Sequence, residues 1–118
     1  MRLEIPLRTR SAPNLREHWA TRARRVRRER LATALACRRA LRIGGLLPCV
    51  VTLTRIAPRA LDEHDNLRAA LKGVVDQLAL ELCVRDDRDP RVTWRYAQSR
   101  GGVRDYMVRV EIESGGGA

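Results

Sequence analysis

The sequence predicts a single α+β domain in which two helices pack on one small mixed sheet. Three observations carry this. The 118-residue chain is long enough for one modest core and too short for two. A hydrophobic fraction of 44% beside 32% charged residues is that of a globular protein. The period of the apolar residues also switches along the chain, in the order strand, helix, strand, helix, strand, strand, without internal repeats. Residues 1–113 form the expected domain, and 114–118 a disordered tail.

In the first segment, residues 2–8 (RLEIPLR), Leu3, Ile5 and Leu7 share one face of a short strand. Pro6 donates no ladder hydrogen bond and places that strand at a sheet edge. TRSAPN turns the chain, and Asn14 is the expected N-cap of a helix from near Leu15 to about Ile43, stopped by Gly44–Gly45. Trp19, Ala23, Val26, Ala34, Cys37 and Leu41 recur there at helical spacing, with Leu31 and Leu35 beside them. Between them RARRVRRER is too basic for a buried face, which makes the middle of this helix the expected contact with DNA phosphates.

Residues 47–56 (LPCVVTLTRI) are β-branched and apolar, the profile of a central strand ended by Pro58. From Asn66, residues Leu67, Ala70, Leu71, Val74, Val75, Leu78 and Leu82 mark a helix buried on one side. RDDRDP then turns the chain into a third strand, 91–97. QSRGGVRD reads as a hairpin turn, and 105–113 as a fourth strand with Tyr106, Val108, Val110 and Ile112 alternating.

Charge is distributed unevenly around the net +10. Residues 1–60 carry fifteen Arg against three Glu, whereas 61–90 carry eight acids against four basic residues. A basic body around an acidic centre suits a polyanion, though a solvated Arg-rich surface produces the same totals. Aromatics at 3%, with no Phe, argue against broad stacking on single-stranded bases. Twenty-three arginines stand against one lysine, a bias of genomic base composition that makes Lys72 the more informative cation. Cys37, Cys49 and Cys83 are odd in number and lack CxxC spacing, so they read as buried free thiols of a reducing cytosol. MRLEIPLRTR lacks the apolar core of a signal peptide, and no apolar run reaches membrane length. The expected location is cytoplasmic, without a membrane partner.

The acids gather in two knots at the ends of the second helix: Asp62, Glu63 and Asp65 before it, Asp86, Asp87 and Asp89 after it. Carboxylates repel, and a hard divalent cation is the usual reason for gathering them. Phosphodiester chemistry at a metal follows from that reading. Each acid also has a plainer role: Asp65 as an N-cap, and Asp86, Asp87 and Asp89 as turn residues before Pro90. Asp65, Ala69, Lys72 and Asp76 fall on one helical stripe, so Lys72 either reaches a phosphate held over Asp65 or pairs with Asp76 at i, i+4. His64 is a loop histidine, a ligand or a base. His18 and Trp19 serve packing or a DNA contact. No Ser/His or Cys/His pair is recognisable, and Ala70, two positions before Lys72, excludes the restriction-type nuclease core.

DEHDNLRAALKGVVDQL followed by VRDDRDPRV resembles the acidic motifs of the RusA-like Holliday-junction resolvases, particularly their phage and prophage members. SAPNLREHW resembles the family's N-terminal loop, and the order of elements is similar. The resemblance implies a homodimeric endodeoxyribonuclease that uses Mg²⁺ or Mn²⁺, without a small-molecule cofactor, to nick branched DNA symmetrically. It assigns Asp65 to the second aspartate of a D-x-D-N motif and Asp87 to the later catalytic aspartate. Strict spacing puts Glu63 at the first aspartate, while Asp62 keeps the residue type. The implied metal set is Asp62, Glu63, Asp65, Asp86 and Asp87, with Asp65, Asp87 and Lys72 catalytic. The family lysine falls at Ala69 here, and Lys72 stands about one turn further on. The expected DNA-binding residues are Asn14, His18, Arg22, Arg24, Arg25, Arg27, Arg28, Asn66 and Arg68. The rival expectation is a basic nucleic-acid-binding protein whose acids only cap a helix.

Overall fold

The computed structural model describes residues 1–9, 18–40, 45–61 and 65–115. The elements are β1 (Arg2–Ile5), α1 (Trp19–Arg39), β2 (Cys49–Ala57), α2 (Asp65–Glu81), β3 (Val92–Arg100) and β4 (Met107–Ser114). They form one α+β domain with a four-stranded mixed sheet in the order β1-β4-β2-β3. β4 runs antiparallel to both β1 and β2, whereas β2 and β3 are parallel. β1 lies at an edge, as Pro6 predicts.

One core joins the sheet to both helices. Leu3, Ile5, Val51, Leu53, Val108, Val110 and Ile112 meet Leu67, Leu71, Val74, Val75, Leu78 and Leu82 of α2, with Cys37 of α1 beside them. The opposite face of the sheet carries Arg2, Glu4, Arg95 and Glu111, all exposed. No helix among the described residues is long and apolar enough to cross a membrane.

QSRGGVRD does not close a hairpin. β3 continues to Arg100, and the chain then crosses the end of β2 to enter β4 on its other side. Gly101 N donates to Ala57 O at 2.9 Å, and Asp105 N to Gly102 O at 3.1 Å. A Cβ on Gly101 would stand 2.8 Å from the Asp105 carboxylate, so the turn closes tightly there. The apolar β2 is better satisfied with a partner on each edge, and β3, with Arg95 and Arg100 exposed, tolerates the outside position. Turn chemistry alone does not report which strand lies between.

α1 is shorter than its sequence pattern. His18 is extended (φ −62, ψ 143) and its Nδ1 accepts from Ala20 N, so the helix begins at Trp19 rather than near Leu15. It ends at Arg39, before Ile43, with Ala40 as C-cap. Asn14 and Gly44 lie outside the described residues, and Gly45 takes φ +83. The helix buries Ala34 and Cys37 of the expected stripe, but also Glu29 and Thr33, while Trp19 stays 76% exposed. The reason is Gly73 on α2. A Cβ there would come within 2.7 Å of Glu29 Oε1, so its absence lets Glu29 enter the helix crossing. Glu29 pairs with Arg25 at 3.3 Å, Thr33 Oγ1 donates to Glu29 O at 2.8 Å, and Arg30 Nε to Gln77 Oε1 at 3.1 Å. A satisfied polar crossing displaces part of the apolar stripe.

α2 ends in a Schellman motif: Val84 N donates to Ala79 O and Cys83 N to Leu80 O, each at 3.0 Å. Cys83 occupies the left-handed position (φ 65) that glycine fills most easily. Cys37 and Cys49 are buried free thiols as expected, but Cys83 is exposed because this turn carries it outward. Burial, with the charge of Glu81 as a second cause, pushes the Cys37 thiol up to about 12. Such a thiol is a packing group and not a nucleophile. Ser114 belongs to β4 and not to a tail: its Oγ donates to Leu46 O at 2.9 Å, and Gly115 N to Pro48 O at 2.6 Å. Residues 116–118 lie outside the described set.

Two stability measurements by urea unfolding check these packing arguments. Cys83→Gly relieves the left-handed strain and should stabilise the fold by about 0.5–1 kcal/mol. Gly73→Ala improves helix propensity yet displaces a buried, paired carboxylate, and should destabilise by about 1–3 kcal/mol.

Candidate functional site

A parallel connection between adjacent strands needs a crossover, and α2 supplies it. The helix therefore opens at the carboxyl end of β2 and closes at the other end of the sheet. Residues 82–91 must return to the start of β3, and they do so by folding back along the helix. Asp87 Oδ2 meets Lys72 Nζ at 3.0 Å, across fifteen residues of sequence. The same ammonium pairs with Asp76 Oδ1 at 3.1 Å, so the plainer i, i+4 pairing is present as well.

Partial burial works against the Lys72 charge, but the hydrogen bonds its ammonium donates to Asp87 and Asp76 more than offset it and leave its pKa raised. The linked stability is fully present below the ordinary value of 10.5 and is lost as pH rises through the raised one. Tyr96 of β3 sits half-buried beside this cluster. Desolvation raises its pKa; the Arg68 charge opposes this, while those of Asp87 and Asp76 add to the rise. The Arg68 guanidinium lies 5.2 Å from the Tyr96 ring centroid.

Two residues further along the same face of β3, Gln98 clamps Leu61. Its Oε1 accepts from Leu61 N at 2.7 Å and its Nε2 donates to Leu61 O at 2.8 Å. Leu61 immediately precedes the first acidic knot in sequence, and β3 fixes its position. Asp62, Glu63 and His64 lie outside the described residues, as does the side chain of Asp65. The backbone of Asp65 is the first residue of α2, on the stripe that carries Lys72 and Asp76.

The other acids of the second knot hold the turn. Asp86 is exposed and its Oδ1 accepts from Arg88 N at 2.9 Å. Asp89 accepts from Arg91 N and is gripped by the Arg91 guanidinium at 2.7 Å. The side-chain hydrogen bond from Arg91, with its backbone N–H, lowers the Asp89 pKa to about 2. The stability tied to that carboxylate is present above the ordinary carboxylate range and lost as pH falls through about 2. Among the described residues, no group of three His, Cys, Asp or Glu side chains stands close enough together to hold a metal.

Of the expected DNA-binding residues, Arg22, Arg24, Arg27 and Arg28 are exposed along α1, His18 caps it, and Arg25 reaches into the crossing to meet Glu29. Arg68 and Asn66 lie at the start of α2, and Asn14 falls outside the described residues. Tyr96, Gln98 and Arg91 are contributions the helix-centred reading missed. The period-2 face of Val92, Trp94, Tyr96 and Gln98 is the signal that locates two of them. No protein-family model matches the chain, and no curated protein matches it.

Asp87→Asn should lower the Lys72 pKa towards its ordinary value. The chain has one lysine, so carbon-13 dimethylation gives a single side-chain NMR signal to titrate. An unchanged pKa would show that the fold-back contact is absent in solution.

Proposed function

We propose that the chain is a Mg²⁺-dependent, structure-specific endodeoxyribonuclease that resolves four-way DNA junctions by paired nicks, acting as a homodimer. The observation that carries this reading is the 3.0 Å contact of Lys72 with Asp87 on the helix that opens with Asp65. It supports a common site for the two acidic knots that resemble the resolvase motifs. Two symmetric cuts require two equivalent sites, which a two-fold dimer supplies.

The metal would be held by Asp87, Asp65 and either Asp62 or Glu63. Of these only the Asp87 side chain is among the described residues, and there a hard cation finds an oxygen donor of the right chemistry. When bound, Mg²⁺ or Mn²⁺ lowers the pKa of water and stabilises charge on the phosphate. Lys72 supplies a compact cation beside that position, and Asp76 positions it from the next turn. Arg68, stacked on Tyr96, adds a planar donor for a neighbouring phosphate. Gln98 holds Leu61, the residue before the first acidic knot.

A second reading keeps binding and drops the reaction. It is favoured by the structural work of the acids themselves: Asp86 and Asp89 hold a turn, and Lys72 is satisfied by two carboxylates.

Mixing the protein with Mg²⁺ and a synthetic four-way junction separates the two. The proposal expects paired nicks, with Asp65→Asn slowing cutting at least ~100-fold while junction affinity holds. Normal cutting by Asp65→Asn would overturn the proposed site. Tight binding by the wild type without any metal-dependent nick leaves the binding-only protein.

A further inference from the structure

At the carboxyl ends of β2 and β3, the register sets Arg55 beside Gln98 and Ala57 beside Arg100. Arg55, Arg59, Ala60, Gln98, Ser99 and Arg100 line a recess of about 210 Å³ there. Three arginines line one small volume, and no carboxylate is among its described lining residues. Arg55 is only 7% exposed. Its donors reach neutral acceptors: Nε to Thr9 Oγ1 at 3.1 Å, Nη1 to Arg59 O at 2.8 Å, and Nη2 to Thr9 O at 3.5 Å. Among the described residues it has no carboxylate partner. Isolating a buried positive charge from counter-charge is costly, and these hydrogen bonds fix the guanidinium without neutralising it.

We infer that this recess binds a phosphate group, and that in function the phosphate belongs to the backbone of the bound nucleic acid. The chemistry favours that ligand over a carboxylate-bearing small molecule. Arg59 and Arg100 are exposed forks beside the fixed charge of Arg55, a set suited to the oxygens of a tetrahedral anion. The recess is several times the ~30 Å³ share of a water molecule, enough for a phosphate and part of its sugar. Its position is equally telling. Gln98 forms one wall and also clamps Leu61, so a phosphate held here lies beside the residue that precedes the acidic segment in sequence. In open α/β sheets ligands collect at the carboxyl ends of strands, which is where this recess opens. The inference rests on the nucleic-acid-binding half of the proposed function and not on cleavage.

The test uses the full chain without divalent metal, so a protein that never cuts can still pass. In one arm, inorganic phosphate is compared with chloride at matched ionic strength by NMR. Phosphate should shift the Arg55 Nε–H signal and the Ser99 and Arg100 amides, and the Arg59→Gln/Arg100→Gln double variant should lose the response. In the second arm, affinity for a four-way junction is followed against salt. The double variant should bind roughly 10-fold more weakly, with the log–log salt slope reduced by about 1 for a lost phosphate contact. Arg38→Gln/Arg39→Gln, which removes two exposed charges at the far end of α1, serves as the control and should change less. Arg59→Lys/Arg100→Lys should fall between wild type and the double glutamine variant, because charge is kept and the forks are lost. Equal losses in the control, or full binding by the lysine variant, would indicate a diffuse basic surface and overturn the site. A phosphate response seen only after Asp62→Asn/Glu63→Gln would show that the counter-charge is internal, and would overturn it too. A phosphate response with unchanged junction affinity would overturn the assignment to nucleic acid.

Discussion

Strand β2 takes hydrogen bonds along both edges, from antiparallel β4 and from parallel β3, and the placement of α2, of the loop that carries Asp87 and of the arginine recess follows from that. Its nine residues are buried almost throughout, so it cannot sit at an edge without exposing apolar surface and leaving backbone groups unpaired. The parallel partner forces a crossover, and α2 with its two flanking segments is that crossover. The start of α2 at Asp65 is thereby tied to the carboxyl end of β2. The second acidic knot begins a helix length away, roughly 25 Å for seventeen residues, and returns only because its loop folds back.

The return is anchored by electrostatics. Asp86 and Asp89 each accept from a neighbouring backbone N–H and shape the loop where Asp87 reaches Lys72. Lys72 sits between two carboxylates and keeps its charge, while Arg68 and Tyr96 continue the surface towards Gln98. From there the walls turn positive at Arg55, Arg59 and Arg100. This side of the molecule thus alternates acid and base along its length. α1 adds a separate row of exposed arginines, available because the helix is rolled so that Glu29, against Gly73, faces inward.

That roll marks the limit of periodicity arguments. The repeat of Trp19, Ala23 and Val26 identifies a helix but not the face it buries, because a charged residue with its partner and a facing glycine packs as well as an apolar one. The hairpin reading of QSRGGVRD failed for a related reason. Gly101–Gly102 permits a tight reversal, but whether the reversal is local or steps over a third strand depends on which strand most needs two neighbours.

The linear chain by itself determined the element types and their order, the edge position of β1, the buried side of α2 and the uneven charge. These are local consequences of side-chain period, proline and glycine chemistry, and composition. Only the tertiary structure decided the strand order, the inward face of α1, the meeting of Asp87 with Lys72 and the gathering of Arg55, Arg59 and Arg100 around one recess. Those depend on contacts between residues distant along the chain, whose energies are settled by packing around β2 and leave no periodic trace in the residues that make them.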